Sequence, residues 1–396
     1  MRTASKKALA AATPALAGSA LMASSTIMAT PAKSAVEDSD TFISTSGLPH
    51  FDIADVRNRP GWDPGEGNST SPSWEASIDN VFAAMAGETD VDATIMTGDL
   101  VSGFWGRDVD NSGIFGPVKT TDQKKKAVVR AANTYYGELK RDWAAHPGLG
   151  PVFPAAGDHE LGGMPHNGKI DAGTHAYKMY PTAKQAWVDN FGHPLTYAVE
   201  LPGEQNVKLA TLNPTERTSS GTYARIKRRD LDWLASEFAN YDGWKIIQVE
   251  IPPSPVAGSS NSSRTVLRNG GALWQKARQL GVHVIFSAEV HELNALQQPS
   301  HTGEDGPVLI TNGGAMYGGG AGHYVLTTVS SETLTLTGVG KTVSCSKSGT
   351  KLLWQTTDRR PLAQLSCETA AKQVGKLAMT DEGEVIQDSG ALELRS

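Results

Sequence analysis

Three short stretches place carboxylates and imidazoles directly after apolar runs: Gly98-Asp99, Gly157-Asp158-His159-Glu160 and Ala288-Glu289-Val290-His291. The runs before them are Ala93-Thr94-Ile95-Met96-Thr97, Pro151-Val152-Phe153-Pro154-Ala155-Ala156 and Val284-Ile285-Phe286. Carboxylate oxygen and imidazole nitrogen are the usual side-chain donors to divalent cations. Brought together at strand ends, these residues would make a metal-centred active site. Each stretch also has a plainer reading. An Asp after Gly can close a turn or cap a helix, and a His can be a satisfied core side chain.

The elements that must gather them can be read from apolar periodicity. Strands are expected over Thr41–Arg57, Ala93–Thr97, Val152–Ala155, Tyr197–Glu200, Val207–Leu212, Lys245–Val249 and Val284–Ser287, and later over Val308–Thr311, Tyr324–Val329 and Thr333–Gly338. Helical spacing covers Trp74–Ala86, Asp122–Ala145, Thr182–Phe191, Arg229–Phe238 and Leu267–Leu280. Strands alternate with helices early and crowd together late, which predicts an α/β protein with sheets sandwiched between helical layers. In such folds ligands collect beyond the carboxyl ends of the strands. Asn213 closes one strand on that side, and His166 and His175 lie in or near the loop after the third strand.

The chain has 396 residues, of which 39% are hydrophobic, enough for one large core or two ordinary ones. The formal net charge of -6 argues against a general nucleic-acid binder. The run Lys124-Lys125-Lys126 therefore reads as a solvated helix face. Arg2, Lys6 and Lys7 precede an Ala/Leu-rich stretch that ends in small residues at Ser34-Ala35, the pattern of a secretory signal peptide over 1–35. That stretch is too short and interrupted to span a bilayer, so a secreted or periplasmic protein without an integral membrane segment is expected. Domain organisation is read as 36–339 for the main domain and 340–396 for a small, partly β extension. Cys345 and Cys367 both fall in the extension, either bridged or as separate thiols.

The order of these motifs resembles the calcineurin-like metallophosphoesterase superfamily over roughly Phe42 to Leu336. Asp55-Val56-Arg57 stands at its Asp-x-His position, with Arg57 replacing the His. Gly98-Asp99 matches fully, and Ser102 stands where a second Asp often occurs. Gly157-Asp158-His159-Glu160 matches with Asp158 in place of Asn. Glu250, before Ile251-Pro252-Pro253, replaces a strand-end His; Glu289 replaces the first His of Gly-His-x-His, and His291 is retained.

The resemblance implies a metallophosphoesterase-like β-sandwich flanked by helices, with metal ligands Asp55, Asp99, Asp158, Glu250, Glu289 and His291. It implies one or two divalent ions and a metal-activated water attacking phosphorus in a small phosphorylated substrate. His159 would assist the leaving oxygen, and Arg57 would grip the phosphate. So many carboxylates favour Mn²⁺, Mg²⁺ or Ca²⁺, with Fe or Zn as further choices. The four departures also leave a second reading open: a relative with an impaired site, acting as a secreted binding or structural protein.

Overall fold

A computed structural model describes residues 39–46, 79, 81–101, 115–162, 168–255, 266–290, 292–297, 306–312, 322–347, 350–353 and 366–395. The expected signal peptide, Asp55, Arg57, His166 and His291 lie outside the described residues. The first strands are β1 (Asp40–Thr45), β2 (Val91–Thr97), β3 (Val152–Ala155), β4 (Lys169–Asp171), β5 (Tyr197–Glu200) and β6 (Val207–Thr211). Next come β7 (Thr215–Thr218), β8 (Gly221–Ala224), β9 (Trp244–Gln248), β10 (Val284–Ser287), β11 (Leu293–Gln297) and β12 (Val308–Asn312). The last are β13 (Gly322–Val329), β14 (Thr333–Lys347), β15 (Thr350–Leu353), β16 (Ser366–Thr380), β17 (Val385–Gly390) and β18 (Leu394–Arg395). Four helices are labelled α1 (Thr121–Ala145), α2 (His175–Phe191), α3 (Arg228–Phe238) and α4 (Gly270–Gln279), and residues 81–86 are also helical.

Two sheets form a sandwich between helical layers, as expected. One has eight strands in the order β17-β16-β14-β13-β1-β2-β3, with β15 paired to β14. The other has seven, β18-β11-β12-β10-β9-β6-β5, and β4-β8-β7 make a third, small sheet. Side chains alternate across a strand, and the alternation separates three apolar layers. Phe42, Ile95, Ile246, Phe286 and Ile310 face the space between the large sheets. Their neighbours Ile43 and Met96 pack beneath α1 and α2 with Tyr135, Tyr136 and Trp187. Ile247, Ile285 and Leu309 pack with Leu234 of α3 and Leu273 of α4.

The site-bearing strands are parallel within each sheet. β1, β2 and β3 run together in the first, and β6, β9, β10 and β12 run together in the second. Their carboxyl ends therefore share one edge of each sheet. Buried polar contacts join the sheets near that edge. Asn312 on β12 donates from Nδ2 to Ser44 Oγ on β1 at 2.7 Å and to Thr97 Oγ1 on β2 at 3.3 Å. Gln248 on β9 donates from Nε2 to the Phe153 carbonyl on β3 at 3.2 Å.

Several boundaries differ from the sequence expectation, for identifiable reasons. Helix α2 begins at His175 rather than Thr182, because Thr174 caps it and it runs through Pro181, which reads as a breaker in sequence. Strand β1 stops at Thr45, well before Arg57. The loop expected after the third strand contains β4, too short to carry a periodic signal. The boundary expected at 339/340 falls inside β14. Residues of β16 and β17 extend the eight-stranded sheet, and β18 adds to the seven-stranded one. The backbone register places Cys345 opposite Cys367. Among the described residues, no helix is long and apolar enough to cross a membrane.

Candidate metal centre

Four acidic residues stand just past the ends of four parallel strands. Asp99 follows β2 and Asp158 follows β3 in one sheet; Glu250 follows β9 and Glu289 follows β10 in the other. Each offers a carboxylate oxygen within 4.8 Å of the oxygens of the other three. Asp99, Asp158 and His159 form an overlapping group under the same limit. The structure thus brings together five of the residues expected from sequence, and two of them belong to both groups. Asp55, Arg57 and His291 are outside the described residues. Asn213 does not join the cluster. Its amide donates to Tyr180 Oη at 3.4 Å and accepts from Thr215 N at 3.0 Å, so it shapes the turn after β6.

Backbone geometry at these strand ends explains how carboxylates can crowd so closely. Gly98 has φ 81°, and the non-glycine residues Asp99 and Glu289 have φ 56° and 59°. Left-handed backbone at a residue with a Cβ costs on the order of 1–2 kcal/mol and clusters at functional sites. A Cβ on Gly98 would lie 2.5 Å from Glu250 Cγ, so only glycine lets the first loop pass under this side chain. A Cβ on Gly157 would lie 2.7 Å from both the amide nitrogen and Oδ1 of Asp99. On the opposite sheet, the Glu250 carbonyl accepts from Ala288 N at 2.8 Å and Ser287 Oγ at 3.2 Å. Those bonds tie the turn that carries Glu250 to the turn that carries Glu289.

Glu160 has a different role from the four, and the sequence reading of the Gly-Asp-His-Glu stretch gave it none. It is fully buried. Its Oε2 accepts from Gly157 N at 2.6 Å and Asp99 N at 3.0 Å, and its Oε1 accepts from Val101 N at 2.9 Å. A carboxylate with three backbone donors clamps the two Gly-Asp loops against each other. The available signal was position: an acid two residues after Asp158, inside a turn rich in exposed-type residues, ends up at the core boundary.

The electrostatics are severe. Burial first, then the nearby carboxylates of Asp158 and Glu160, holds the Asp99 carboxyl well above its ordinary range. Glu250 is raised well above its range by burial and then by Glu289, Asp99 and Asp158. Glu289 is pushed up to about 8 by burial and by Asp158 and Asp99. Asp99 Oδ1 and both side-chain oxygens of Glu250 are buried without a hydrogen-bond donor among the described residues. Buried carboxylates need protons or a cation. The set fits a hard divalent cation, because its donors are oxygens and orphaned oxygens point into one small space. His159, partly buried, stands with Nε2 3.8 Å from Asp158 Oδ1 at the margin of the cluster.

No protein-family model matches the sequence, and no curated protein matches it either. Solved structures do match the fold. PhoD aligns over 90% of this chain and 74% of its own, with 11% identity and a TM-score of 0.54. A dimetal phosphatase from Danio rerio aligns over 76% of this chain and 95% of its own, with 12% identity and a TM-score of 0.48. Purple acid phosphatase PPD1 from yellow lupin seeds aligns over 76% of this chain and 51% of its own, with 10% identity and a TM-score of 0.47. The likeness to PhoD, at 11% identity, is one of fold, and it bears out the expected sandwich architecture.

Proposed function

We propose that this chain, which has the calcineurin-like metallophosphoesterase fold, is a metal-dependent hydrolase of phosphate esters. One observation carries the reading: four carboxylates from four strand ends of two sheets converge within 4.8 Å, with orphaned oxygens on Asp99 and Glu250. A purely structural cluster of this kind would be strongly self-repelling, and a core has no need of it.

Asp99, Asp158, Glu250 and Glu289 are the residues to hold the ion. Bound there, a divalent cation supplies Lewis-acid polarisation of a phosphoryl oxygen and a water acidic enough to attack phosphorus. Oxygen donors favour Mg²⁺, Mn²⁺ or Ca²⁺ over softer ions. Glu160 keeps the two loops in register and so fixes the angle between Asp99 and Asp158. His159 is the group to deliver a proton to the departing ester oxygen. It stands beside the cluster, and Asp158 is placed to orient it. Arg57 is proposed to grip the phosphate, and Asp55 and His291 to complete the ligand set. The proposed setting is export, with a small phosphorylated substrate.

Metal content after dialysis against Mn²⁺, Mg²⁺, Ca²⁺ and Zn²⁺ tests this, with p-nitrophenyl phosphate and bis-p-nitrophenyl phosphate turnover measured on the same samples. At least one bound ion per chain, with turnover lost on chelation and in Asp99→Asn, is the expected result. Bound metal without turnover of either ester would leave the site and remove the phosphoesterase. No bound ion and no turnover would overturn the reading in favour of a scaffold that has lost its chemistry.

A further inference from the structure

A second feature is a groove between the first half of α1 and the first half of α2, bordered by β7. Lys125, Lys126 and Arg130 of α1, Lys178 of α2 and Arg217 of β7 line it, with Val129 and Pro181 as its apolar part. No acidic residue lines it, and it shares no residue with the carboxylate cluster. Five cations thus converge in a chain whose formal net charge is -6.

The arrangement costs stability unless an anion occupies it. Lys126 and Arg130 are one turn apart, about 6 Å along the helix axis, where like charges repel. Among the described residues, the carboxylate paired with a groove cation is Asp122, 3.9 Å from Lys125 and itself exposed. Lys126, Arg130, Lys178 and Arg217 have no ion pair among the described residues. Arg130 Nε donates to the Phe115 carbonyl at 2.5 Å and Arg217 packs over the Tyr177 ring at 4.0 Å, so both guanidinium groups are held in place. Arginine presents a planar fork that pairs with phosphate oxygens.

We propose that the groove is a binding site for an oligo-anion, a ligand with two or more linked phosphate groups, and that it works without the metal centre. A linked series of phosphates offers charge to cations contributed by two helices and a strand at the same time. Each exposed contact is worth little by itself, so affinity requires several at once. α1 joins the parallel strands β2 and β3 and runs antiparallel to them, so its amino end lies at the strand edge that bears Asp99 and Asp158.

The test is calorimetric titration of EDTA-stripped, chelator-free protein with tripolyphosphate and with orthophosphate. The proteins compared are wild type, the variants Lys126→Glu and Lys178→Glu singly and together, and Lys276→Glu on α4, which matches the net charge of each single variant. The substituted side chains make no hydrogen bond or ion pair among the described residues, and thermal denaturation checks that each variant is folded. The expected result is saturable tripolyphosphate binding at least about tenfold tighter than orthophosphate, weakened about tenfold or more in the double variant, less in each single variant, and least, about twofold or less, in the control. Rising salt should weaken it, because exposed charges are screened. No saturable binding to wild type, equal affinity for both anions, or equal weakening in the single variants and the control would overturn the proposal. Since the protein is metal-free throughout, none of these outcomes depends on whether the carboxylate cluster is catalytic.

Discussion

Glu160 accepts a hydrogen bond from the backbone N–H of Asp99 at 3.0 Å, across 61 residues of sequence. The same oxygen accepts from Gly157 at 2.6 Å. One buried side chain therefore sets the distance between the loops that carry Asp99 and Asp158. Two changes at this position should have graded effects. Glu160→Ala leaves three buried N–H groups unpaired, at about 1–3 kcal/mol each before relaxation. Glu160→Gln keeps one carbonyl oxygen but turns an NH₂ towards a backbone N–H. Both variants should lower the melting temperature, Ala more than Gln. Both should lose about 10–100-fold in Mn²⁺ affinity, the usual cost of removing a group that orients metal ligands. Calorimetric Mn²⁺ titration of the Gln variant at a temperature where it is folded is the decisive measurement. Unchanged affinity would show that the clamp serves stability alone.

Gly98 is needed twice, for its φ of 81° and for its closeness to Glu250. A Cβ there would lie 2.8 Å from Glu250 Cβ as well as 2.5 Å from Cγ, so Gly98→Ala must displace the Glu250 stem. Overpacking typically costs about 1–3 kcal/mol, and the left-handed backbone adds about 1 kcal/mol. Gly173→Ala is a useful comparison, since its φ is 87° with nothing within 4 Å of the added carbon. The two should share the backbone penalty. Gly98→Ala alone should lose bound metal, measured by metal analysis after dialysis.

How much of this was legible in the sequence depended on range. Asp99, Asp158 and Glu289 were found because an apolar run followed by Gly-Asp or Ala-Glu marks a strand end within a few residues. Glu250 also ends an apolar run, but without the Gly or Ala that marks the turn at the others. Its place in the order of motifs and its setting between Val249 and Ile251-Pro252-Pro253 pointed to it, whereas its closeness to Gly98 comes from two sheets meeting. Pro181 hid the first turns of α2, because the breaker rule is local while Thr174 and the packing of Met179 and Tyr180 hold the turn in place. Lys125 and Lys126 lie exposed on α1, as the run Lys124-Lys125-Lys126 implies, and Lys178 and Arg217 join them only through the fold.

Stability of the metal-free protein should fall with rising pH. Glu289 has an ordinary value of 4.5 and is pushed up to about 8, by burial and then by Asp158 and Asp99. Asp99 and Glu250 shift in the same direction. Between those two values the folded chain keeps a proton that the unfolded chain has released, so this contribution is fully present in acid and is lost as pH rises towards 8. The chelated protein should therefore melt several degrees lower at pH 8 than at pH 5.5. A divalent ion replaces those protons, so metal affinity should rise over the same window and proton release should accompany binding. Thermal denaturation across that window, with and without EDTA, checks both signs. A chelated protein whose melting temperature climbs with pH would remove the crowded-carboxylate picture.

The same repulsion makes Glu250→Gln a variant in which stability and binding should move in opposite directions. Neither carboxylate oxygen of Glu250 has a hydrogen-bond donor among the described residues, and Glu289, Asp99 and Asp158 all raise its pKa after burial. A neutral amide of nearly equal volume removes that charge without opening a cavity, and its NH₂ can donate to a neighbouring carboxylate. In EDTA at pH 8 the variant should therefore melt above wild type. With Mn²⁺ present the order should invert, because an ion that loses one anionic donor binds about tenfold or more weakly, and ligand-linked stabilisation follows occupancy. A residue retained for packing would show a loss or no change under both conditions. One retained to hold a cation trades stability for function, and the crossing of the two melting curves on adding Mn²⁺ is the signature that separates these cases.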